Sequence, residues 1–293
     1  MIAIVGTVPR DDFPLTEGEV VPDGEELAVD GRRVSVNRGT PALAAAAALA
    51  LDYLGRPRLH AFLVGDTGRG KGSRRLYQHL ESVLPARSYE ALAFHYLQPD
   101  VDWHNRVLFS VDAMAVRPLL LADAGFMYAA KMSGQAGRYD VFTPDAGELA
   151  FLADEQAPHP FYTRGFILHE DNRVPDLVRR AYEHGNAARL LVVKGATDHV
   201  ADEHGVLASC GEPSHEAMEA VGGTGDSLTG LVVALAGSGF PLVDAARIAI
   251  HANRLAGEKA QPTPASRIAE IIRHIPAALG EALARHEPGG VRH

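Results

Sequence analysis

The sequence has 293 residues, of which 46% are hydrophobic, a formal net charge of −9 at pH 7 and one cysteine, Cys210. The length suits one large α/β domain or two smaller ones, and the acidic balance argues against nucleic acid or an anionic membrane as a partner. One cysteine excludes an internal disulfide and a cysteine-based zinc cluster. The longest apolar run, 42–51, is far too short to span a membrane. We therefore expect a soluble, cytoplasmic protein.

The N-terminal region predicts one buried strand, at residues 1–6, followed by hairpins. Polar and apolar residues alternate over 19–36, and the alternation is broken by Asp-Gly at 23–24 and 30–31, a dipeptide that favours tight hairpin turns. We assign 18–37 to a small β insertion within a single domain, 1–293. This insertion could be a lid over the substrate or pair between the subunits of a homodimer, because exposed sheet edges pair readily.

Strands and helices then alternate. An alanine-rich helix is predicted at 40–54, because Thr40 and Pro41 open it and Gly55 closes it. The further predicted strands are 60–64, 92–96, 119–122, 139–142 and 190–193, with two short strands flanking 202–205. The further predicted helices are 73–84, 105–114, 147–153 and 175–184, and residues 226–284 are predicted to be helical. Residues 157–172 are the longest irregular segment and could form a lid or a subunit contact. The order predicts a mostly parallel sheet with helices on both faces and ligands at the carboxyl ends of the strands.

A glycine-rich turn at Gly222, Gly223, Thr224 and Gly225 ends in Asp226 and runs into an apolar helix. Glycines let the backbone approach a ligand closely, and the first amides of a helix lack intrahelical partners and lie at its positive end. The turn therefore predicts a phosphate site. A carboxylate beside a phosphate is costly, and Asp226 is interpreted as the base that takes a proton from an attacking hydroxyl. Gly223, Thr224 and Gly225 are the candidates to stabilise the transferring group.

Two other segments carry alternative interpretations. Residues 65–73, GDTGRGKGS, resemble a P-loop, but Gly72 separates the lysine from Ser73, which displaces the hydroxyl by about 100° around a helix. Residues 100–104, together with His95, could suggest a metal site. Their spacing is not diagnostic of one, and Asp102 or Asn105 is the better candidate to start a helix.

The chain resembles the ribokinase-like superfamily through five segments in order. They are NRGTP at 37–41, VGDTGRG at 64–70, TPDAGE at 143–148, KGA at 194–196 and GGTGD at 222–226. The resemblance implies a three-layer α/β/α fold with a small N-terminal β lid. It also implies substrate contacts at Asn37 and Gly39, a nucleotide site at Lys194, Gly195 and Gly222 to Gly225, and a catalytic role for Asp226.

Within the superfamily, the C-terminal third looks most like the NAD(P)H-hydrate dehydratases. GGTGDSLTG at 222–230 is very similar to their signature, and 121–124 resembles their aspartate-rich strand end. Two positions depart from the dehydratase branch: this chain has Leu121 where the branch has an aspartate, and Asp145 where the branch has a histidine. Asp123 could face substrate or cap the next helix, and Asp145 could also contact substrate.

The resemblance implies a nucleotide, ATP or ADP, with Mg²⁺ held by Glu148, alone or together with Asp145, since hard cations prefer oxygen ligands. Lys194 could contact a phosphate, although a solvated strand-end lysine is the preferred interpretation. The main prediction is a kinase that phosphorylates a hydroxyl of a small molecule. The alternatives are an ADP/ATP-dependent NAD(P)H-hydrate dehydratase, a P-loop NTPase and a sensor that binds a nucleotide or metabolite without turnover.

Overall fold

The computed structural model describes residues 1–155 and 174–286, and within them eleven strands form one sheet. The sheet has the order β11-β10-β9-β8-β7-β6-β1-β5-β2-β3-β4. The strands are β1 Ile2–Val8, β2 Thr16–Asp23, β3 Glu26–Val29, β4 Arg32–Ser35, β5 His60–Gly65, β6 Ala91–His95, β7 Leu119–Ala122, β8 Val141–Phe142, β9 Leu190–Val193, β10 Asp198–Asp202 and β11 Gly205–Cys210. The six strands from β9 to β5 are parallel, and both edges are antiparallel.

Helices cover both faces of this sheet. They are α1 Thr40–Tyr53, α2 Lys71–Val83, α3 Val101–Asp112, α4 Ala124–Met132, α5 Ala146–Ala153, α6 Val174–Glu183, α7 Thr224–Gly237, α8 Leu242–Ala260, α9 Ile268–Ile272 and α10 Ile275–His286. One apolar core contains residues of α1 and α7 to α10, and the other contains residues of α2 to α6. All seven residues of β1 are buried, with Ile2 and Ile4 in the first core and Ala3 and Val5 in the second. The predicted three-layer α/β/α fold is confirmed.

The predicted hairpins are also present. β2 pairs with β5 and then with β3, and β3 pairs with β4, all antiparallel. β2 starts at Thr16, two residues before the predicted insertion. Gly24 and Gly31 have positive φ angles of 63° and 72°, as the two tight turns require.

Four details differ from the sequence predictions. Helix α4 was not predicted, the β8 strand has two residues instead of four, and α3 begins at Val101 with Asp100 as its cap. The predicted helical stretch 226–284 is broken into α7 to α10, and α8 ends where Gln261 adopts a left-handed φ of 46°. Residues 157–172 lie outside the described residues. None of the described helices has the length and hydropathy needed to cross a membrane.

Three helix N-termini meet at the carboxyl ends of the central strands. Gly39 precedes α1, Asp123 caps α4 and Gly223 precedes α7. Helix α7 lies close against α1, since a Cβ on Gly230 would clash with the carbonyl oxygen of Leu43. This contact places the start of α1 beside the start of α7, where the predicted site residues Gly39 and Asp226 lie.

Candidate functional site

Asp226 lies in the first turn of α7 and its side chain is 11% exposed. Its Oδ2 accepts a hydrogen bond of 2.6 Å from the backbone amide of Gly39, and its Oδ1 lies 3.1 Å from Nε2 of His95. Burial alone would raise the pKa of this carboxyl. His95, the charge of Lys194 and the Gly39 amide outweigh burial and hold the pKa below its usual value. The residue predicted as the base is therefore held as a carboxylate.

The turn before Asp226 has the shape of an anion site. Gly223 has a left-handed φ of 107°, and no side chain of the described residues caps the start of α7. The turn is fixed from behind, because Ser227 donates a 2.7 Å hydrogen bond to Asn253 and the Asn253 amide donates to the carbonyl of Thr224. The first amides of α7 thus have no side-chain acceptor within the described ranges, and they lie at the positive end of the helix.

Lys194 follows β9 and forms a buried ion pair with Asp123. Its Nζ donates to both carboxylate oxygens, at 2.8 and 3.0 Å, and the side chain is 14% exposed. The interpretation of Lys194 as a solvated lysine is therefore wrong. Burial opposes the charge on Lys194, but Asp123 and Glu148 raise its pKa overall. Asp123 also caps α4 and accepts from Thr229 at 2.8 Å, so it is a structural anchor beside the site.

Asp145 and Glu148 form a capping box at the start of α5. The Glu148 amide donates to Asp145 Oδ1 and the Asp145 amide donates to Glu148 Oε2, both at 2.8 Å. Glu148 also accepts from the Tyr128 hydroxyl, and burial raises the pKa of Glu148 to about 8 against the opposing charge of Lys194. No group of three histidine, cysteine or acidic side chains in residues 1–155 and 174–286 could hold a metal on its own.

Two cavities of about 480 Å³ each are lined by residues next to Asp226. The first, here called the Lys194 cavity, includes Asp145, Lys194, Gly195, Thr224, Gly225 and Arg254 in its lining. The second, the Tyr96 cavity, includes Thr7, Arg38, Gly39, Asp66, Tyr96 and Gln98. Asp226 is not among the lining residues of either cavity. Its partner Gly39 lines one cavity and its chain neighbour Gly225 lines the other, so Asp226 adjoins the lining of both.

Several residues of this site were not predicted to belong to it. His95 and Tyr96 lie outside every motif described above, and Arg38 lies within NRGTP but was given no role there. Tyr96 has a left-handed φ of 51°, which is unusual for a bulky residue. Asn37, predicted to contact substrate, is exposed and lines neither cavity, whereas its neighbour Gly39 does line one. Gly222 lies next to the side chain of Arg38.

The P-loop interpretation fails on the loop geometry. The Asp66 carboxylate accepts from the amides of Gly68, Arg69, Gly70 and Ser73, at 2.8 to 3.0 Å. In a P-loop such amides hold the phosphates. Here they are already bound to a carboxylate of the same chain.

The alternative metal site is also absent. Asp100 caps α3 by accepting from the Trp103 amide, and Asp102 pairs with Arg106 on the surface. His104 is buried and hydrogen-bonds to the Tyr139 hydroxyl at 2.8 Å, and burial lowers its pKa to about 4. His95 points instead towards Asp226. The helix-start role predicted for Asp102 or Asn105 belongs to Asp100.

Comparison with known proteins gives the chain a family. A family model described as NAD(P)H-hydrate dehydratase matches residues 99–276. The uncharacterized protein MJ1337 of Methanocaldococcus jannaschii is 38% identical over 234 residues, which cover 80% of this chain and 96% of the relative. An ADP-dependent (S)-NAD(P)H-hydrate dehydratase of Cenarchaeum symbiosum is 31% identical over 139 residues, or 47% of this chain and 43% of that protein.

Solved structures show the same fold across nearly the whole chain. Phosphofructokinase-2 from Escherichia coli, in complex with fructose-6-phosphate, has a TM-score of 0.55 and 14% identity, with 96% of this chain and 100% of that chain covered. The ADP/ATP-dependent NAD(P)H-hydrate dehydratase from Bacillus subtilis, co-crystallized with ATP/Mg²⁺, has a TM-score of 0.57 and 16% identity, with 97% and 89% covered.

The family match has a clear boundary in the structure. Every lining residue of the Lys194 cavity lies within 99–276, and every lining residue of the Tyr96 cavity precedes residue 99. The match therefore includes Asp226 and the Lys194 cavity, while the Tyr96 cavity lies outside it. Because the matched residues make up more than half of the chain, this protein belongs to the NAD(P)H-hydrate dehydratase family of ribokinase-like, nucleotide-dependent enzymes.

Proposed function

We propose that this protein transfers a phosphoryl group from ATP or ADP to a hydroxyl in the Tyr96 cavity, and that the acceptor is the hydrated nicotinamide of NAD(P)H. The observation that carries the proposal is that the immediate neighbours of Asp226 line two separate cavities. On one side the carboxylate contacts the wall of the Tyr96 cavity through the Gly39 amide. On the other, Thr224 and Gly225 of the same turn line the Lys194 cavity. In-line transfer requires the attacking and leaving oxygens on opposite sides of phosphorus, with the base beside the acceptor hydroxyl, and a carboxylate next to both cavities can take that position.

The chemistry follows from the residues present. With the nucleotide in the Lys194 cavity, its terminal phosphate lies at the amides of Gly223, Thr224 and Gly225, which stabilise the charge on the transferring group. Asp226 takes the proton of the acceptor hydroxyl, whose oxygen then bonds to phosphorus while the bond to the nucleotide's bridging oxygen breaks. In the dehydratase, loss of inorganic phosphate from the hydrated ring then regenerates NAD(P)H.

The acidic residues at the mouth of the Lys194 cavity fit Mg²⁺. Asp145 is exposed and lines the cavity, with Glu148 beside it in the capping box. Mg²⁺ is usually held by one or two carboxylates together with waters and nucleotide phosphates, so the small number of acidic side chains is sufficient. Asp145 and Glu148 would hold the ion, and when bound it neutralises charge on the phosphates.

A second candidate is a kinase that releases its phosphorylated product. Two positions lack the side chains found in the dehydratase branch: residue 121 is a buried leucine of β7 instead of an aspartate, and residue 145 is the aspartate of the capping box instead of a histidine. The Tyr96 cavity also lies outside the family match. These observations favour a different hydroxyl-bearing acceptor on a shared nucleotide site. A lid formed by 18–37, a single domain and a homodimer paired at the β4 edge remain predictions.

The test is nucleotide consumption with Mg²⁺ and either ATP or ADP, against hydrated NADH, sugars and vitamin precursors. Phosphate release together with recovery of NADH absorbance is expected for the dehydratase. A phosphorylated product from another acceptor would support the kinase instead. Nucleotide binding without turnover on any acceptor would overturn both enzymatic proposals in favour of a sensor.

The variant Asp226→Asn tests the base. We expect turnover to fall by about 10²–10⁴-fold, because the amide cannot take the proton, while the nucleotide affinity changes little. Asp102→Asn is the matched control, since Asp102 also lies in a first helical turn but is 73% exposed. Full turnover by Asp226→Asn would exclude it as the base.

A further inference from the structure

His95 is a buried histidine at the end of β6, and its Nε2 has an unusual environment. The residue is 1% exposed, and Nε2 lies 3.1 Å from Asp226 Oδ1 and 3.7 Å from Asp123 Oδ2. Within the described residues, Nε2 makes no hydrogen bond of full geometry to either carboxylate. A buried polar atom aimed between two acidic side chains, without a complete bond, requires an explanation.

The imidazole ring is fixed on its other sides. Its Nδ1 is hydrogen-bonded to Thr40 Oγ1 at 3.0 Å, and the ring of Tyr96 packs edge-on with a centroid distance of 4.3 Å. Thr40 is itself held in place by β1, because a Cβ on Gly6 would clash with the Thr40 side chain. When the Thr40 hydroxyl donates to Nδ1, the ring proton is on Nε2 and faces Asp226.

This inference rests on the proposed function. We propose that His95 is a positioning residue for the Asp226 base: the electrostatic attraction between its Nε2–H and Oδ1, 3.1 Å apart, keeps Oδ2 turned towards Gly39 and the Tyr96 cavity. Oδ2 is the oxygen that accepts from Gly39, a lining residue of that cavity. Without His95 the carboxylate can rotate and turn away from the acceptor hydroxyl. Thr40 contributes indirectly, because its hydrogen bond to Nδ1 sets the tautomer of His95.

The charges around Asp226 indicate which property of the carboxyl His95 controls. Besides His95, the positive charge of Lys194 at the end of β9 acts on the Asp226 carboxyl. The negative charge of Asp123 lies beyond His95, and Tyr96 follows His95 at the end of β6. Burial favours the protonated carboxyl, and the contact with His95 is the first of the influences that oppose it. Removal of the imidazole would therefore leave a buried carboxyl with less support for its charge.

The experiment is an NMR titration of the Asp226 carboxyl carbon in the wild-type chain and in His95→Leu. We expect the midpoint to rise by at least about one pH unit in the variant, the size typical of a lost hydrogen-bonding or charged neighbour. Because the wild-type pKa lies below its usual value, turnover should consequently fall more at pH 5 than at pH 8. A residue with a merely structural role would lower turnover equally at both pH values and leave the midpoint unchanged, and this result would overturn the inference.

Three further variants complete the design. His95→Gln retains an N–H donor and should recover part of both effects. Thr40→Val removes the partner of Nδ1 without change of shape, should raise the midpoint by a smaller amount, and serves if His95→Leu does not fold. His104→Leu removes a buried imidazole from the other apolar core and should leave the midpoint unchanged.

The two proposals fail separately. A raised midpoint in a protein that consumes no nucleotide would contradict the proposed function and retain the role of His95. Normal turnover with an unmoved midpoint in both His95→Leu and Thr40→Val would contradict the role of His95 alone.

Discussion

At the scale of single residues, the site depends on charges that the fold has removed from water. Asp123 is 1% exposed and carries its charge beside Lys194, with Thr229 and the Ala124 amide as further donors. A buried ion pair adds little net stability compared with an apolar pair, but the loss of one partner leaves an uncompensated charge. We therefore expect a substitution that removes one member of the Lys194–Asp123 pair to lower the free energy of unfolding strongly.

Lys194→Met tests this effect. We expect the free energy of unfolding to fall by about 3–5 kcal/mol, because Asp123 is then buried without its cation. Urea unfolding measures the change, and Arg179→Met is the control, since Arg179 and Glu183 form an exposed pair worth less than about 1 kcal/mol. Equal effects of the two substitutions would contradict this assignment.

His104 makes a pH dependence expected. Burial lowers its pKa from 6.5 in the unfolded chain to about 4 in the folded protein. The neutral imidazole thus contributes stability above pH 6.5 that is lost as the pH falls through 4, amounting to about 3 kcal/mol. Unfolding free energies at pH 7, 5.5 and 4 should decline less in His104→Gln than in the wild-type chain. Parallel declines in the two proteins would show that His104 does not titrate in this way.

The sequence predicts a site residue only where its immediate neighbours in the chain form a recognisable motif. Gly223, Gly225 and Asp226 were found because glycines and an acid at a helix start are a local pattern with a physical reason. His95 lies in no such pattern, and the KGA segment indicated a nucleotide contact at Lys194 but not its ion pair, because the partners Asp226 and Asp123 lie far away in the chain. Their roles arise from the parallel order of the strands, which the local sequence does not encode.

At the scale of secondary structure, α1 and α7 act as one unit. Gly230 allows α7 to approach the carbonyl of Leu43, and this contact keeps Gly39 at the start of α1 within 2.6 Å of Asp226. The strands β7 and β9 were predicted with the bounds observed, because short β-branched and leucine runs between turns are clear signals. Helix α4 was not predicted because Gly125, in its first helical turn, is a residue typical of loops. In the structure this glycine allows α4 to pack closely against the backbone carbonyl of Leu97.

Gly230→Ala probes the α1–α7 contact. We expect a loss of about 1–3 kcal/mol from overpacking, together with reduced turnover, since Gly39 must move relative to Asp226. Thermal unfolding and nucleotide consumption measure both effects. Gly137→Ala is the matched control, because a Cβ there meets no atom within 4 Å. Unchanged stability and turnover in Gly230→Ala would show that the contact can relax freely.

At the scale of the whole molecule, one sheet connects two cavities whose linings come from separate parts of the chain. The alternation of strands and helices was sufficient to predict this architecture. The position of the cavities relative to Asp226 was not predictable, because it depends on how closely α1 and α7 pack.

Nucleotide binding should stabilise the fold as a whole. A ligand that binds the folded protein at 100 times its Kd adds about 2.7 kcal/mol, and Asp226→Asn should gain a similar amount because it retains the anion site. Thermal unfolding with ATP or ADP and Mg²⁺, against an equal concentration of inorganic phosphate, provides the measurement. No stabilisation by either nucleotide would argue against a nucleotide in the Lys194 cavity.

The hydrogen bond between Gly39 and Asp226 joins residues that are 187 positions apart. During synthesis, the ribosome adds the whole lining of the Tyr96 cavity long before it adds the base. A nascent or prematurely terminated chain that stops before Asp226 thus has no means of activating a hydroxyl. Under the proposed function such fragments cannot consume nucleotide, and activity arises only when the two distant parts of the polypeptide have come together.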